Sequence, residues 1–383
     1  MRAGITLLVL ALIVTIALPL GVLLIKSFQD KAGNFVGLAN YIRYFQTPVL
    51  VTSLWNSIWI SALSTVITVA LAFGYAYALM RTQMPGKALF TSIAMLPLFA
   101  PSLLSAISFI YIFGNQGFLK SWLFGASVYG PIGIVLAEVL YCFPHAMLIL
   151  TTALALADAR LYEAADALGT SNFRIFRTVT LPGVKYGLVS AVFLVFTLVI
   201  TDFGIPKVIG GQFNVLATDA YKQVIGQQNF EMGAVVGFVL LAPAVLAFVV
   251  DRAIQKRQVA LLTARAVPLE PKRNWGADLP ALLYCLLIAG LIAGVFLVAV
   301  WASFITYWPY NLTLSTKWYD FAEFEPNGWG PYFTSLKMAG IVSVFGTALV
   351  FVGAYLIEKG EGFRAGRTLA HLLAMLPMAV PGL

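Results

Sequence analysis

Residues able to do chemistry are few in this chain, and four of them stand in apolar surroundings as two pairs. Glu138 and His145 are seven apart, so on a helix they share one face. An ionisable group in such a setting turns toward a polar pathway or hydrogen-bonds to a neighbouring helix. Glu138 would oppose an anionic solute. Asp202 and Lys207 bracket Gly204 and Pro206, which fits either a helix break beside a pathway or a plain turn with an interfacial ion pair. The third polar feature runs from 160 to 182 and holds Glu163-Ala164-Ala165, then Gly169, then Leu181-Pro182. Good helix formers fill 161–168, Gly169 supplies a stop, Thr170 or Ser171 can cap a second short helix, and Pro182 is predicted to end it. By itself Glu-Ala-Ala is common on solvated helices, so only its spacing and placement carry weight.

Catalytic constellations are missing. The sequence has no GxxxxGK[ST] phosphate loop, no glycine-rich dinucleotide fingerprint, no nucleophile beside a base and no zinc-ligand spacing. It therefore calls for no cofactor and offers no phosphate loop for ATP hydrolysis. Cys142 and Cys285, far apart in apolar runs, are expected to be small packing residues.

The elements that must position these residues are membrane helices. The chain is 60% hydrophobic and 10% charged, with a mean hydropathy of +0.89, far too apolar for a water-exposed surface. Runs long enough to cross a bilayer recur at 4–26, 55–80, 88–113, 131–157, 184–204, 233–251, 279–304, 332–357 and 368–383, which predicts an all-α integral membrane protein. The first run is too long for a signal-peptide core and lacks a small-residue cleavage site. The net charge of +8 comes from basic residues set between apolar runs, so it argues for topology and against nucleic acid. Arg160, Arg174, Arg177, Lys256, Arg257 and Arg273 fall on loops of one side, which becomes the inside when the N-terminus is inside.

A repeat is also present. Asn56-Ser57 through Ala76-Tyr77 corresponds to Thr334-Ser335 through Ala354-Tyr355, and Ala94-Met95-Leu96-Pro97 recurs as Ala374-Met375-Leu376-Pro377, with Pro101 answered by Pro381. Two homologous membrane domains in tandem are expected: 1–253 with six spans, a cytoplasmic linker at 254–276, and 277–383 with three. The repeat would place a counterpart of Glu163 beyond the last residue, so the second domain is expected to be truncated and the 383-residue form inactive by itself. Both halves start inside and are parallel, which disfavours the gradient-driven transporters built from inverted repeats. Such a protein would also want more intramembrane carboxylates than Glu138. A membrane enzyme is weaker still, for want of a constellation.

The spacing from Glu163-Ala164-Ala165 through Gly169 to Leu181-Pro182, with Val179 in the usual isoleucine place, resembles the EAA loop of binding-protein-dependent ABC importer permeases. The resemblance implies a short helix that docks on an ABC ATPase subunit, a partner set of two ATPases and an extracytoplasmic solute-binding protein, and a place in the bacterial cytoplasmic membrane. Fused halves are similar to the permeases for ferric iron, thiamine and 2-aminoethylphosphonate. Gly114-Asn115-Gln116-Gly117, Tyr141-Cys142-Phe143-Pro144-His145 and the stretch from Thr201 to Phe213 most resemble the last, which makes that phosphonate the expected small solute.

Overall fold

The computed structural model describes residues 2–259, 267, 269–271, 273–360 and 362–375. Leu376, Pro377 and Pro381 of the repeat, the second half of the ninth apolar run, and Pro268 and Lys272 of the linker lie outside the described residues. Among the described residues, six helices are long and apolar enough to cross a membrane: α1 (Arg2–Ser27), α2 (Pro48–Arg81), α5 (Pro131–Ala155), α7 (Asn172–Thr201), α11 (Trp275–Ser303) and α12 (Gly330–Lys359). Between them lie α6 (Ala159–Ala167), α8 (Gly204–Ile209), α9 (Leu216–Tyr221) and α10 (Phe230–Val259). The regular elements of the described residues are helices, apart from one short hairpin and an isolated bridge between Gln29 and Phe35.

The third apolar run is not a straight span. It forms α3 (Lys87–Phe99) and α4 (Ser102–Phe113), bent by 102°. Pro101 removes a helical donor, and Ala100 takes the extended conformation favoured before proline, with φ −105 and ψ 145. The described apolar part of the sixth run is Phe230–Pro243, shorter than a span. The ninth begins as α13 (Arg364–Met375).

Proline is elsewhere absorbed inside helices by wider turns. A five-residue π turn, Ile13–Ala17, precedes Pro19, and another, Phe176–Thr180, precedes Pro182. In the second, the Leu181 N–H reaches back to Phe176 O, and the looser turn relieves the clash a proline ring makes with the carbonyl four residues earlier. The expectation that Pro182 ends a helix is therefore corrected: α7 passes through it without a break.

Two compact units are present, one holding the described residues up to Asn40 and from Val300 on, the other Tyr41–Ala299. These units cut across the repeat boundary read from the sequence.

In the larger unit α2 packs on α5, α5 on α7, and α7 on both α2 and α10. The core includes Ala72, Tyr75, Ala137, Met147, Leu150, Ala191 and Val195, joined by Cys285, Ile288 and Ile292 of α11. Tyr75 ties three elements, donating to Phe90 O at 2.8 Å while its ring meets Phe143 edge-on at 5.4 Å. Cys142 and Cys285 are both buried and free. Helix α11 docks on α2 through Tyr284, whose hydroxyl donates to Leu71 O at 2.8 Å. Its ring fills the notch left by Gly74, where a Cβ would stand 3.1–3.2 Å from ring atoms. Gly74→Leu should therefore lower stability by about 1–3 kcal/mol through overpacking, against about 1 kcal/mol for loss of one hydrogen bond in Tyr284→Phe. Thermal unfolding in detergent tests this, and equal effects would show that the ring is not lodged there.

In the smaller unit Ile5 and Val9 of α1 pack with Ala370 of α13 and Leu356 of α12. Strands β1 (Ile305–Tyr307) and β2 (Asn311–Leu314) form an antiparallel hairpin that the span pattern did not anticipate. Its β-formers pair Thr306 with Thr313, hydroxyl to hydroxyl, at 3.0 Å.

Candidate functional site

The polar stretch 160–182 folds as a short helix capped at both ends. Asp158 is the N-cap of α6, its carboxylate accepting the Arg160 N–H at 3.1 Å. At the other end Gly169 has φ +67, in the left-handed region. Its N–H donates to Asp166 O at 2.9 Å, and the Thr170 N–H donates to Ala165 O at 3.0 Å. This pair of bonds is a Schellman motif, so the glycine is required by conformation. Ser171 then starts α7 without a side-chain capping bond. Glu163 and Ala164 face outward, as do Leu168 at 82% exposure and Phe173 at 74%. Leu181 and Pro182 lie more than two turns into α7, just past its π turn.

Beneath α6, Arg81 at the end of α2 joins two helices. Its Nη2 donates to Leu154 O at 2.9 Å, near the end of α5, where a cation complements the helix dipole. The guanidinium carbon also stands 5.2 Å from the centre of the Tyr162 ring. The Tyr162 hydroxyl shares a 3.0 Å hydrogen bond with Thr180 of α7, and Phe176 packs edge-on against Tyr77 at 5.8 Å. Helix α6 is thus seated on α2 and α7, and through Arg81 it is linked to α5. A cleft of about 550 Å³ opens beside it, lined by Arg81, Tyr162, Glu163 and Asp166 on one side and by Val267, Leu269, Glu270 and Pro271 on the other.

The two ionisable pairs lie away from this helix. Glu138 is fully buried in α5, and neither of its oxygens meets a hydrogen-bond partner among the described residues. It borders a small cavity with Ser57, Ser61, Pro206 and Val215. His145 is half-buried, its ring 5.9 Å from that of Tyr141. Asp202 and Lys207 are each occupied separately. Asp202 accepts the Ile205 N–H at 2.8 Å, capping α8, and the Lys207 ammonium lies 4.7 Å from the Tyr221 ring. The interfacial ion pair between them is replaced by a helix cap and a cation–π contact.

Sequence reasoning passed over Arg81, Asp158, Tyr162 and Thr180. Asp158, an acidic residue just ahead of a run of helix formers, carried an N-cap signal. The other three meet across helices and leave no local pattern.

The profile of the family described as "Binding-protein-dependent transport system inner membrane component" matches residues 67–259. A ferric transport system permease protein of Actinobacillus pleuropneumoniae is 26% identical over 387 residues, which cover 96% of this chain and 55% of that protein. The chain thus spans about half the length of that relative. A spermidine/putrescine transport system permease protein of Haemophilus influenzae is 26% identical over 63% of this chain and 90% of its own length. Among solved structures, a bacterial ABC transporter involved in the import of the acidic polysaccharide alginate superposes with a TM-score of 0.50 at 14% identity, covering 66% of this chain and 93% of that one; this likeness is one of fold.

Proposed function

The chain belongs to the family of binding-protein-dependent transport system inner membrane components, and from that premise we propose that it is a membrane-spanning permease of a bacterial ATP-driven importer. It forms the solute pathway, sits in the cytoplasmic membrane with its N-terminus inside, and leaves ATP hydrolysis to separate ATPase subunits, two per transporter. An extracytoplasmic binding protein delivers the solute. Its halves are tandem permease domains joined by the linker at 254–276.

The observation that carries this reading is α6. It is a short helix with Glu163 turned outward, followed by the exposed Leu168 at its end and Phe173 at the start of α7, while Tyr162 on its inner side is held on α2 and α7. Exposed apolar side chains beside a carboxylate suit a protein partner, and the firm seating passes the partner's movement to these spanning helices and, through Arg81, to α5. Glu163, Ala164, Ala165, Gly169, Leu181 and Pro182 make up this coupling element. Glu138 and His145 serve the packing of α5 in this reading.

For the solute, the match to a ferric permease over 96% of the chain favours ferric iron. The three segments resembling 2-aminoethylphosphonate permeases support that phosphonate as the second reading. Deleting the gene should impair growth on chelated ferric iron as the sole iron source and leave growth on 2-aminoethylphosphonate as the sole phosphorus source intact. The reverse pattern would move the solute to the phosphonate. Unchanged uptake of both, and of thiamine, would sink the importer reading for these solutes.

A further inference from the structure

Helix α6 is tied at a place its own sequence does not explain. The Ala159 N–H, one of the first-turn donors that a helix leaves without an internal partner, donates to Val267 O at 2.9 Å. The Val267 N–H in turn reaches Asp158 Oδ1 at 3.4 Å, the same oxygen that accepts the Arg160 N–H. Val267 and Asp158-Ala159 thus hold each other like one rung of a strand pair, although more than a hundred residues separate them. Four residues on, Pro271 O accepts Gln83 Nε2 at 2.7 Å. The backbone N–H of Gln83 donates to Asp278 Oδ1 at 2.8 Å, and Asp278 lies buried in the first turn of α11.

We propose that Val267 and Pro271 belong to a strap that fastens the start of α6 to the start of α11, which makes Asp158 and Gln83 positioning residues for energy coupling. The inference rests on the proposed function, because it needs α6 to be the element that an ATPase moves. Besides the Tyr162 contacts with Arg81 and Thr180 on its inner side, three ties then act at the ends of that nine-residue helix: its entry from α5, the Gly169 turn into α7, and the strap. The first two belong to the helix's own half of the repeat. Only the strap leads into the linker and to α11, so displacement of α6 is passed directly to the helix that opens the second half. The 550 Å³ cleft lined by Glu163 and Asp166 of α6 and by Val267, Glu270 and Pro271 lies where this strap meets the helix.

Three substitutions at Asp158 separate the strap from ordinary helix capping. Asn keeps both the cap and the reach to Val267, Ser keeps the cap but is too short for Val267, and Ala loses both. In the complete transporter, reassembled with its ATPases in proteoliposomes, Asp158→Ser and Asp158→Ala should each raise the ATP hydrolysed per solute imported at least threefold. Asp158→Asn should restore the parent ratio. Hydrogen exchange at the Ala159 amide should speed up about tenfold in the Ser and Ala variants, and Gln83→Ala should loosen the strap from its other end with the same rise in ATP per solute. If Asp158→Ser matches the parent in both exchange and coupling ratio, Asp158 is only a cap and the strap is refuted. A parent complex that exchanges as described yet imports nothing would refute the permease reading and leave the physical tie standing.

Discussion

Gly169→Val is expected to abolish ATP-driven uptake while leaving the chain inserted and folded. No heavy atom lies within 4 Å of where a Cβ would stand on Gly169, so the side chain finds room. The penalty comes from the backbone, at φ +67. An L-residue there costs about 1–2 kcal/mol, and a β-branched one is a true outlier. The chain relieves that strain by leaving the left-handed conformation. It then loses the bonds from Gly169 to Asp166 and from Thr170 to Ala165, and with them the angle at which α6 meets α7. Leu168 and Phe173, on either side of the turn, no longer present one surface. Uptake by the reassembled complex should fall at least tenfold with melting temperature little changed, whereas Gly169→Asn, which tolerates the left-handed region, should keep most activity. A valine variant that transports like the parent would refute the assignment of the turn to coupling.

A large loss of stability should come from filling Gly187. A Cβ on this residue of α7 would lie 2.4 Å from the Cβ of Ala153 on α5, and neither atom can rotate away. Even Gly187→Ala must push the two helices apart, opening the core around Val184, Ala191 and Leu150. Overpacking of this kind costs about 1–3 kcal/mol, and Leu at the site should exceed that range. The compensating change is specific: Gly187→Ala combined with Ala153→Gly returns one methyl group to the contact and should recover most of the stability. Thermal unfolding and monodispersity in detergent report both effects. Additive losses in the double variant would mean that the helices do not meet at this point.

These cases mark how far the sequence could be read. The membrane class, most spanning helices, the extent of α6 and the stop at Gly169 are all local properties, set by apolar run length, helix propensity and one residue's freedom in φ. Pro101 lay inside the run read as one span at 88–113, and the bend of 102° there was not anticipated. Pro182 misled because its effect depends on whether the preceding turn can widen, and Phe176–Thr180 widens. Asp202 and Lys207 suggested an ion pair by proximity alone, yet the Ile205 N–H and the Tyr221 ring engage them first.

Composition and spacing by themselves determined that this chain is a helical membrane protein carrying a short, glycine-ended helix between two spans, because each of those features is settled within a few turns of chain. Tertiary structure alone decided what that helix rests on and what holds it. Arg81 meets Tyr162, Tyr162 meets Thr180, and Val267 meets Ala159. Each partnership brings together residues that lie far apart along the chain, and it depends on helix crossings set by where Gly74 and Gly187 leave no side chain in the way.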